Sequence, residues 1–416
     1  MEVLEHRLNK SVVVKKGWQR KRLGEIADVQ SGGTPLVSNK AYWNGDIPWY
    51  SSGELNDLNT SPPERHISRL GLEHSNAKLF PKGSLLIGMY DTAALKMSIL
   101  DRAGAFNQAI AGVVPNDQLD LVFVLHAINS IRESVLGQRR GVRQKNLSLG
   151  KIRDIELSVP PLAEQQRIVG LLDEAFEGLA TAKANAEMNL QNARALFESH
   201  LQSVFTQRGP GWVEKTIGEL CDIKHGYAFD GADFSNAVPD GNPLVITPGN
   251  FTEDGKLLFK ERNTKRFSGD IPAGFQFDIG DLVVVMTDLS SKMKILGKPA
   301  FVETDDVLHN QRIGRLVFST ERVEKRLLYY FMMTEGFLKN IKMSATGTMV
   351  KHTAPKRIMS NVIPFPENRK EQRAIITKLD DLREETQRLA RLYEGKHAAL
   401  EALKKSLLHQ AFTGEL

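Results

Sequence analysis

The chain has 416 residues, with 55 Lys and Arg against 50 Asp and Glu, so its formal net charge is only +5. A hydrophobic content of 41% and a charged content of 25% exclude a disordered, collagen-like or disulfide-rich chain. The single cysteine, Cys221, excludes an internal disulfide and fits a reducing compartment. Because no apolar stretch approaches the roughly 20 residues that span a bilayer, we expect a cytoplasmic protein with no membrane partner.

A tandem duplication organises the chain. Residues 17–32, GWQRKRLGEIADVQSG, align without a gap with residues 211–226, GWVEKTIGELCDIKHG, and seven of the sixteen positions are identical. Further matches follow in the same order: FPKGSLLIGMYD (80–91) with FDIGDLVVVMTD (277–288), NQAIAGVV (107–114) with NQRIGRLV (310–317), Gly141 and Lys145 with Gly347 and Lys351, and EQQRIVGLLD (164–173) with EQRAIITKLD (371–380). The preserved order predicts two copies of about 200 residues.

Each copy begins with short β-type runs and ends in a long helix. Runs such as SLLIGM and DLVVVM, separated by Gly, Pro and Asn, favour short strands. Pro160 and Pro161 precede the first proline-free segment and Pro364 and Pro366 the second, which we interpret as helix entry signals. The sequence therefore predicts a mixed α/β (α+β) fold in each copy.

The helical segments show a heptad-like pattern. Alternate steps of four and three predict a seam through Ile168, Leu172, Leu179 and Leu196 in one helix and through Ile375, Leu379, Leu382, Leu389, Leu400 and Leu403 in the other, with a stutter towards Phe197 and Leu201. We expect the two helices to pair antiparallel like a coiled coil, with the globular parts at opposite ends and related by pseudo-twofold symmetry. The alternative is that each helix packs only on its own globular part.

Signatures of covalent chemistry are missing from the sequence. There is no GxxxxGK[ST] phosphate loop, no dinucleotide-binding glycine pattern and no GxSxG elbow. His225, His309 and His352 are isolated rather than spaced as metal ligands, and Cys221 has no motif that marks a nucleophile. We therefore expect no catalytic residue, no metal and no cofactor on this chain.

Basic loops occur at matching places in the two copies. The first basic loop, residues 138–153, carries six basic residues: Arg139, Arg140, Arg143, Lys145, Lys151 and Arg153. The second, residues 342–357, carries Lys342, Lys351, Lys356 and Arg357, together with the polar candidates Thr346, Thr348 and His352. Neither loop contains an acidic residue. Lys and Arg neutralise phosphates, and polar side chains read base edges. The duplicated position favours DNA binding over the alternative of a merely solvated basic loop.

A second candidate loop, SGGTPLVSNKAYWNGDIPWYSSGEL (31–55), supplies Thr34 and Lys40 as further DNA-binding residues. Its tryptophans, Trp43 and Trp49, fit the core at least as well as a nucleic-acid groove. The Asn-Gln pairs at 107–108 and 310–311 have the chemistry to read adenine. Because each pair leads directly into an apolar run, we favour a structural hydrogen-bonding role for them.

Together these motifs resemble the specificity subunit of type I restriction–modification enzymes. The resemblance rests on the duplicated opening W-x4-[LI]-G-E-[IL]-x-D-[VI], the Asn-Gln pairs, the basic loops and the E-Q-x2-I-[VI]-x2-L-D helix starts, and it covers essentially the whole chain. It implies target-recognition domains at 1–159 and 208–363, each reading one half of a bipartite DNA site. It also implies spacer helices at 160–207 and 364–416 that set the distance between the half-sites.

The resemblance further implies partners for the chain. These are double-stranded DNA, two modification subunits that carry S-adenosylmethionine, and restriction subunits that translocate DNA. Two alternatives remain open at this point: a coiled-coil scaffold whose globular ends bind protein, and a self-contained restriction or methylation enzyme, which the missing catalytic motifs disfavour.

Overall fold

The protein is described from a computed structural model that covers residues 17–90, 93–137, 146–235, 241–413 and 415–416. It contains two compact units. The first consists of the described residues up to Ala186 together with Gly395–Leu416, and the second of Glu187–Glu394. Each unit therefore combines one globular part with a portion of both long helices.

The first unit is built from short strands and helices followed by the first long helix. In chain order the elements are β1 Gln19–Arg22, α1 Leu23–Ile26, β2 Val29–Ser31, β3 Trp43–Tyr50, β4 Arg65–Ile67, α2 Arg69–Glu73, β5 Leu85–Gly88, β6 Met97–Ile99, β7 Ala105–Phe106, β8 Ile110–Val113, α3 Leu121–Ser130, α4 Arg132–Gly137, α5 Leu149–Arg153, β9 Glu156–Val159 and α6 Leu162–Thr206. Its main sheet is antiparallel with the order β2-β8-β5-β6, beside the smaller sheets β4-β3-β7 and β1-β9.

The second unit repeats this arrangement. Its elements are β10 Trp212–Thr216, α7 Ile217–Leu220, β11 Cys221–His225, β12 Phe234–Ser235, β13 Leu244–Ile246, β14 Arg266–Phe267, β15 Gln276–Phe277, β16 Leu282–Val285, β17 Thr287–Asp288, β18 Pro299–Phe301, β19 Val307–His309, β20 Ile313–Phe318, α8 Lys325–Met333, α9 Glu335–Met343, β21 Lys351–His352, α10 Pro355–Met359, β22 Val362–Pro366 and α11 Arg369–Thr413. The sheet order β11-β20-β16-β18 is the counterpart of β2-β8-β5-β6, so the predicted duplication is confirmed at the level of strand order.

Glycines shared by the two copies mark the same close approach of chain segments. A Cβ added at Gly32 would lie 2.1 Å from the carbonyl oxygen of Phe106, and one added at Gly226 would lie 2.3 Å from that of Asn310. No larger residue fits either place, which explains why both copies carry glycine there.

The two long helices, each of 45 residues, pack antiparallel against each other within each unit. In the first unit the Lys183 ammonium lies 2.7 Å from the Glu401 carboxylate, and in the second the Arg194 guanidinium lies 2.8 Å from the Glu394 carboxylate. The partner residue numbers fall as the first helix advances, which is the signature of an antiparallel pair.

The seam residues contribute to the core to different degrees. Ile168, Leu172 and Leu379 are buried, and those half-buried are Leu179, Ile375, Leu382, Leu389 and Leu400. Leu196 and Leu403, which the heptad steps also placed in the seam, are instead 53% and 47% exposed, so this part of the prediction is wrong. A 3.5-residue step drifts around a helix of about 3.6 residues per turn, and in the first helix the buried stripe moves to Leu201 and Phe205. The predicted stutter towards Leu201 is therefore confirmed.

The interpretation of Pro364 and Pro366 as helix entry signals is corrected by the structure. Both prolines lie in β22, opposite Glu214 and Trp212 of β10, and α11 begins only at Arg369. Proline is tolerated because β22 pairs with β10 alone among the described strands, so a missing N–H costs no ladder hydrogen bond on its other side.

A buried glutamine near the start of each long helix ties that helix to its own globular part. The Gln165 side-chain oxygen accepts a hydrogen bond of 2.9 Å from the backbone N–H of Asp120, which caps α3. The Gln372 oxygen accepts one of 2.8 Å from the N–H of Glu324, which caps α8. The equivalent bonds fix the way each globular part meets its helix.

Candidate nucleic-acid interface

Three separate chain segments meet at one edge of the second unit. The backbone N–H of Met286 donates to the carbonyl oxygen of Arg312 over 3.0 Å, and the N–H of Thr353 donates to that of Met286 over 2.9 Å. The end of β16, the start of β20 and the end of the basic loop are therefore neighbours. We call residues 286–288, 310–312 and 351–353 the recognition edge of the second unit.

The same three segments meet in the first unit. The N–H of Met89 donates to the carbonyl oxygen of Ala109 over 2.9 Å, and the N–H of Leu147 donates to that of Met89 over 2.7 Å. Residues 89–90, 107–109 and 146–147 form the recognition edge of the first unit. Three motifs that are far apart in the sequence are thus brought together in each copy by equivalent backbone hydrogen bonds.

A small hairpin presents the basic loop of the second unit. Thr346 and His352 exchange backbone hydrogen bonds of 3.0 and 2.9 Å, which close the loop between them. Gly347 has φ +97°, and a Cβ there would lie 2.0 Å from the carbonyl oxygen of Val350. The hairpin therefore requires glycine at this position, and it leaves Thr346, Thr348 and His352 exposed.

Strand β21 of this hairpin pairs with β17, which sets Lys351 opposite Asp288 and His352 opposite Thr287. The buried Asp288 carboxylate accepts hydrogen bonds from the N–H groups of Ser290 and Ile295, at 2.8 and 3.0 Å. The Lys351 ammonium donates to the Gly347 carbonyl over 2.7 Å. Asp288 therefore shapes the adjoining loop, and the half-buried Lys351 lies at the recognition edge.

Thr34 and Lys40 lie on the other candidate loop, in the first unit. The Thr34 hydroxyl donates to the Gln108 side-chain oxygen, so it joins the recognition edge there. Lys40 is exposed in a short 3₁₀ turn that Asn39 caps. The structure therefore brings Thr34 to the recognition edge, and none of the contacts among the described residues places Lys40 there.

The tryptophans of this loop belong to the core. Trp43 and Trp49 are buried and pack edge to face, with their ring centroids 5.2 Å apart. Their indole N–H groups donate to the carbonyls of Leu36 and Gly33, over 3.3 and 3.0 Å. The sequence left open whether these tryptophans line a nucleic-acid groove or belong to the core. The structure places both in the core.

Four of the predicted DNA-binding residues, Arg139, Arg140, Arg143 and Lys145, lie outside the described residues. Arg153, in the same basic stretch, donates twice to the Val29 carbonyl and so fixes α5 to β2. That hydrogen bonding gives Arg153 a structural role.

The asparagines of the Asn-Gln pairs stabilise turns, as the sequence indicated. The side-chain oxygen of Asn107 accepts a hydrogen bond of 3.0 Å from the N–H of Ala109, and that of Asn310 accepts one of 3.1 Å from the N–H of Arg312. These bonds shape the start of β8 and of β20, and so position the recognition edges.

Titratable groups in the core of the second unit show how burial acts there. Burial lowers the pKa of His309 from 6.5 to about 4, and its ring nitrogen Nε2 lies 2.9 Å from the Ile313 carbonyl oxygen. Burial raises the pKa of the Cys221 thiol to about 12, which is incompatible with a reactive thiolate.

Within the described residues, no cluster of three or more His, Cys, Asp or Glu side chains is arranged to hold a metal. Among all the described residues, no helix has the length and apolarity needed to cross a membrane.

Sequence comparison assigns the family. Residues 15–189 and 210–394 each match the family described as the type I restriction modification DNA specificity domain. The chain belongs to this specificity family. Two matches in tandem correspond to the two copies that the internal repeat predicted.

Curated relatives of the specificity family resemble different portions of the chain. The EcoR124I/EcoR124II specificity subunit of Escherichia coli is 30% identical over 166 residues, which are 37% of this chain and 40% of that protein. The MjaVIII specificity subunit of Methanocaldococcus jannaschii is 22% identical over 97% of this chain and 94% of that protein. The first of these matches thus spans less than half of the relative's length.

Structure comparison agrees on the fold. A chain of a type I R-M system, solved to explain complex assembly and conformational transition, superimposes with a TM-score of 0.77 at 18% identity and covers 97% of this chain and 99% of that chain. The fold of that chain is therefore present along nearly the whole length of this one.

Sequence reasoning missed Asn146 and Thr287 as members of the recognition edges. Thr287 stands beside His352 only because β17 pairs with β21. Asn146 could have been found from the repeat, since the alignment of Lys145 with Lys351 sets it opposite His352.

Proposed function

We propose that this chain is the sequence-reading subunit of a type I restriction–modification complex. Each unit reads one half of a bipartite site in double-stranded DNA. The recognition edge is the observation that supports this proposal. Equivalent backbone hydrogen bonds form it in both units, and its exposed side chains differ between them. A common scaffold with divergent exposed residues suits two readers of different sequences.

The predicted contacts divide into two kinds. Lys351 and the basic residues of the first loop would neutralise phosphates, which supplies affinity without sequence preference. Thr34, Thr346, Thr348 and His352 have hydrogen-bonding groups suited to base edges in the major groove. Sequence-specific binding needs both kinds of contact: side chains that hydrogen-bond to base edges and side chains that neutralise the neighbouring phosphates.

We assign the long helices the role of a spacer. Their antiparallel packing, with Lys183 against Glu401 and Arg194 against Glu394, is suited to fixing the separation of the half-sites. Insertion of seven residues into both helices should lengthen the tolerated spacer and leave both half-sites unchanged. A methylation map with the original spacing would remove this role.

In this proposal, partner subunits carry out the methylation and the restriction of the DNA. Two modification subunits carrying S-adenosylmethionine would dock on the helices and methylate the DNA, and restriction subunits would join that core. The present chain would act in the cytoplasm without catalysis or a cofactor of its own. Methyl transfer by the purified chain alone would contradict this division of labour.

The test is to express the chain with its modification subunit in a host free of DNA methylation and to sequence the methylome. We expect one asymmetric motif made of two specific blocks and a fixed unspecific spacer. Salt-dependent binding of the purified complex to a duplex with that motif should accompany it. A complex that forms but neither methylates nor binds DNA would favour the alternative of a scaffold for protein partners.

A further inference from the structure

One position of the recognition edge carries a different hydrogen-bonding side chain in each unit. His352 precedes Thr353, whose N–H bonds to Met286, and Asn146 precedes Leu147, whose N–H bonds to Met89. The two bonds are equivalent, at 2.9 and 2.7 Å, so Asn146 and His352 occupy the same place. Both residues are exposed.

The environment of His352 determines which of its ring nitrogens carries the proton. Its Nδ1 lies 3.0 Å from the hydroxyl oxygen of the buried Thr287, and this ring is the one partner of that hydroxyl in the described part of the chain. A buried hydroxyl needs an acceptor for its proton. Nδ1 accepts only when the proton of the neutral ring is on Nε2. The exposed ring of His352 therefore offers an Nε2–H donor.

The chemistry of Asn146 is different. An asparagine side chain offers one acceptor and a donor group together, a pair that matches N6 and N7 of adenine in the major groove. A lone N–H donor matches N7, the acceptor that both purines share. The same place in the fold thus carries an adenine-type reader in one unit and a purine-type reader in the other.

We propose that this position determines one base of each half-site, with Asn146 selecting adenine in the first and His352 selecting either purine in the second. The inference rests on the DNA-reading function proposed above. Thr287 is a positioning residue in this scheme, because it holds the His352 ring and its proton.

The test is a reciprocal exchange, Asn146→His and His352→Asn, each expressed with the modification subunit and followed by methylome sequencing. Asn146→His should remove the preference for adenine at one position of the first half-site, where Tyr90 stands in the place of Thr287. His352→Asn should narrow one purine of the second half-site to adenine. In each variant the other half-site stays unchanged and serves as the internal control. Motifs identical to that of the starting protein in both variants would overturn the inference.

A binding measurement covers the case in which an exchange variant fails to fold. The starting complex is titrated with duplexes in which each purine of the second half-site is replaced in turn by its 7-deaza analogue. One replacement should weaken binding roughly tenfold or more, in the range of a lost base contact. Thr287→Val should reduce that sensitivity and shift the tautomer seen in the imidazole nitrogen NMR signals.

The two proposals fail in different ways. Equal affinity for every 7-deaza duplex, in a complex that still recognises its motif, would contradict the role of His352 alone. If the starting complex yields no motif at all, the DNA-reading function itself fails.

Discussion

Gln165 accepts a hydrogen bond of 2.9 Å from the backbone N–H of Asp120, across the junction between helix α6 and the globular part of the first unit. Its side-chain amide also donates to the carbonyls of Pro160 and Gln118, over 2.8 and 3.2 Å. One buried side chain thereby satisfies three backbone groups from two segments, residues 118–120 and Pro160. A DNA reader needs such a fixed junction, because the direction of the reading surface depends on it.

Replacement of this glutamine should destabilise the unit. Gln165→Ala leaves the N–H of Asp120 and the carbonyls of Pro160 and Gln118 without this partner, so we expect a loss of about 2 kcal/mol in the free energy of unfolding. Thermal or urea denaturation measures it. Gln166→Ala is the matched control because Gln166 is exposed. Equal losses in the two variants would show that the hydrogen bonds of Gln165 do not stabilise the junction.

A methyl group added at Gly347 should distort the hairpin of the second unit. Gly347→Ala forces φ +97° on a residue with a side chain and sets its Cβ against the Val350 carbonyl. We expect weaker DNA binding, measured by titration, with little change in the melting temperature. Gly336→Ala, on helix α9 with open space around it, is the control. Normal DNA affinity of Gly347→Ala would separate the hairpin from binding.

Lys351 should contribute to affinity through its charge. Lys351→Ala should weaken binding to all duplexes alike and reduce the slope of log affinity against log salt by roughly one. The control Lys378→Ala removes an exposed lysine from helix α11. A salt slope that Lys351→Ala leaves unchanged would remove Lys351 from the phosphate contacts.

The buried His309 should make the stability of the second unit depend on pH. Because burial holds its folded-state pKa at about 4 instead of 6.5, the fold favours the neutral ring. This contribution is complete above pH 6.5 and is lost as the pH falls towards 4, by about 3 kcal/mol in all. His309→Gln should flatten the stability curve in that window, as measured by denaturation at several pH values. Replacement of the exposed His200 by Gln should leave the slope as it is; an equal effect of both variants would contradict the assignment to His309.

The sequence was sufficient for the duplication, because Gly32 and Gly226 are fixed by the same close backbone contact in each copy. It also indicated where the globular part of the first copy ends, since α6 begins at Leu162, directly after Pro160 and Pro161. Repetition makes such features visible without structural knowledge. A residue that is merely exposed in one copy leaves no such trace.

The sequence was insufficient where long-range contacts decide. Leu196 and Leu403 fit a heptad, but the actual seam follows the drift of the helix and leaves both exposed. The neighbourhood of Thr287 and His352 depends on a strand pair between segments 65 residues apart. No local pattern encodes that contact, and so the recognition edges became visible only in the folded chain.

The central claim is that each unit reads its own half-site, and an exchange of reading domains tests it most directly. Residues 212–362 are replaced by a second copy of residues 18–158, and the methylome is sequenced with the modification subunit present. We expect a motif in which both specific blocks have the sequence of the first half-site. A motif that still contains the original second half-site would contradict it.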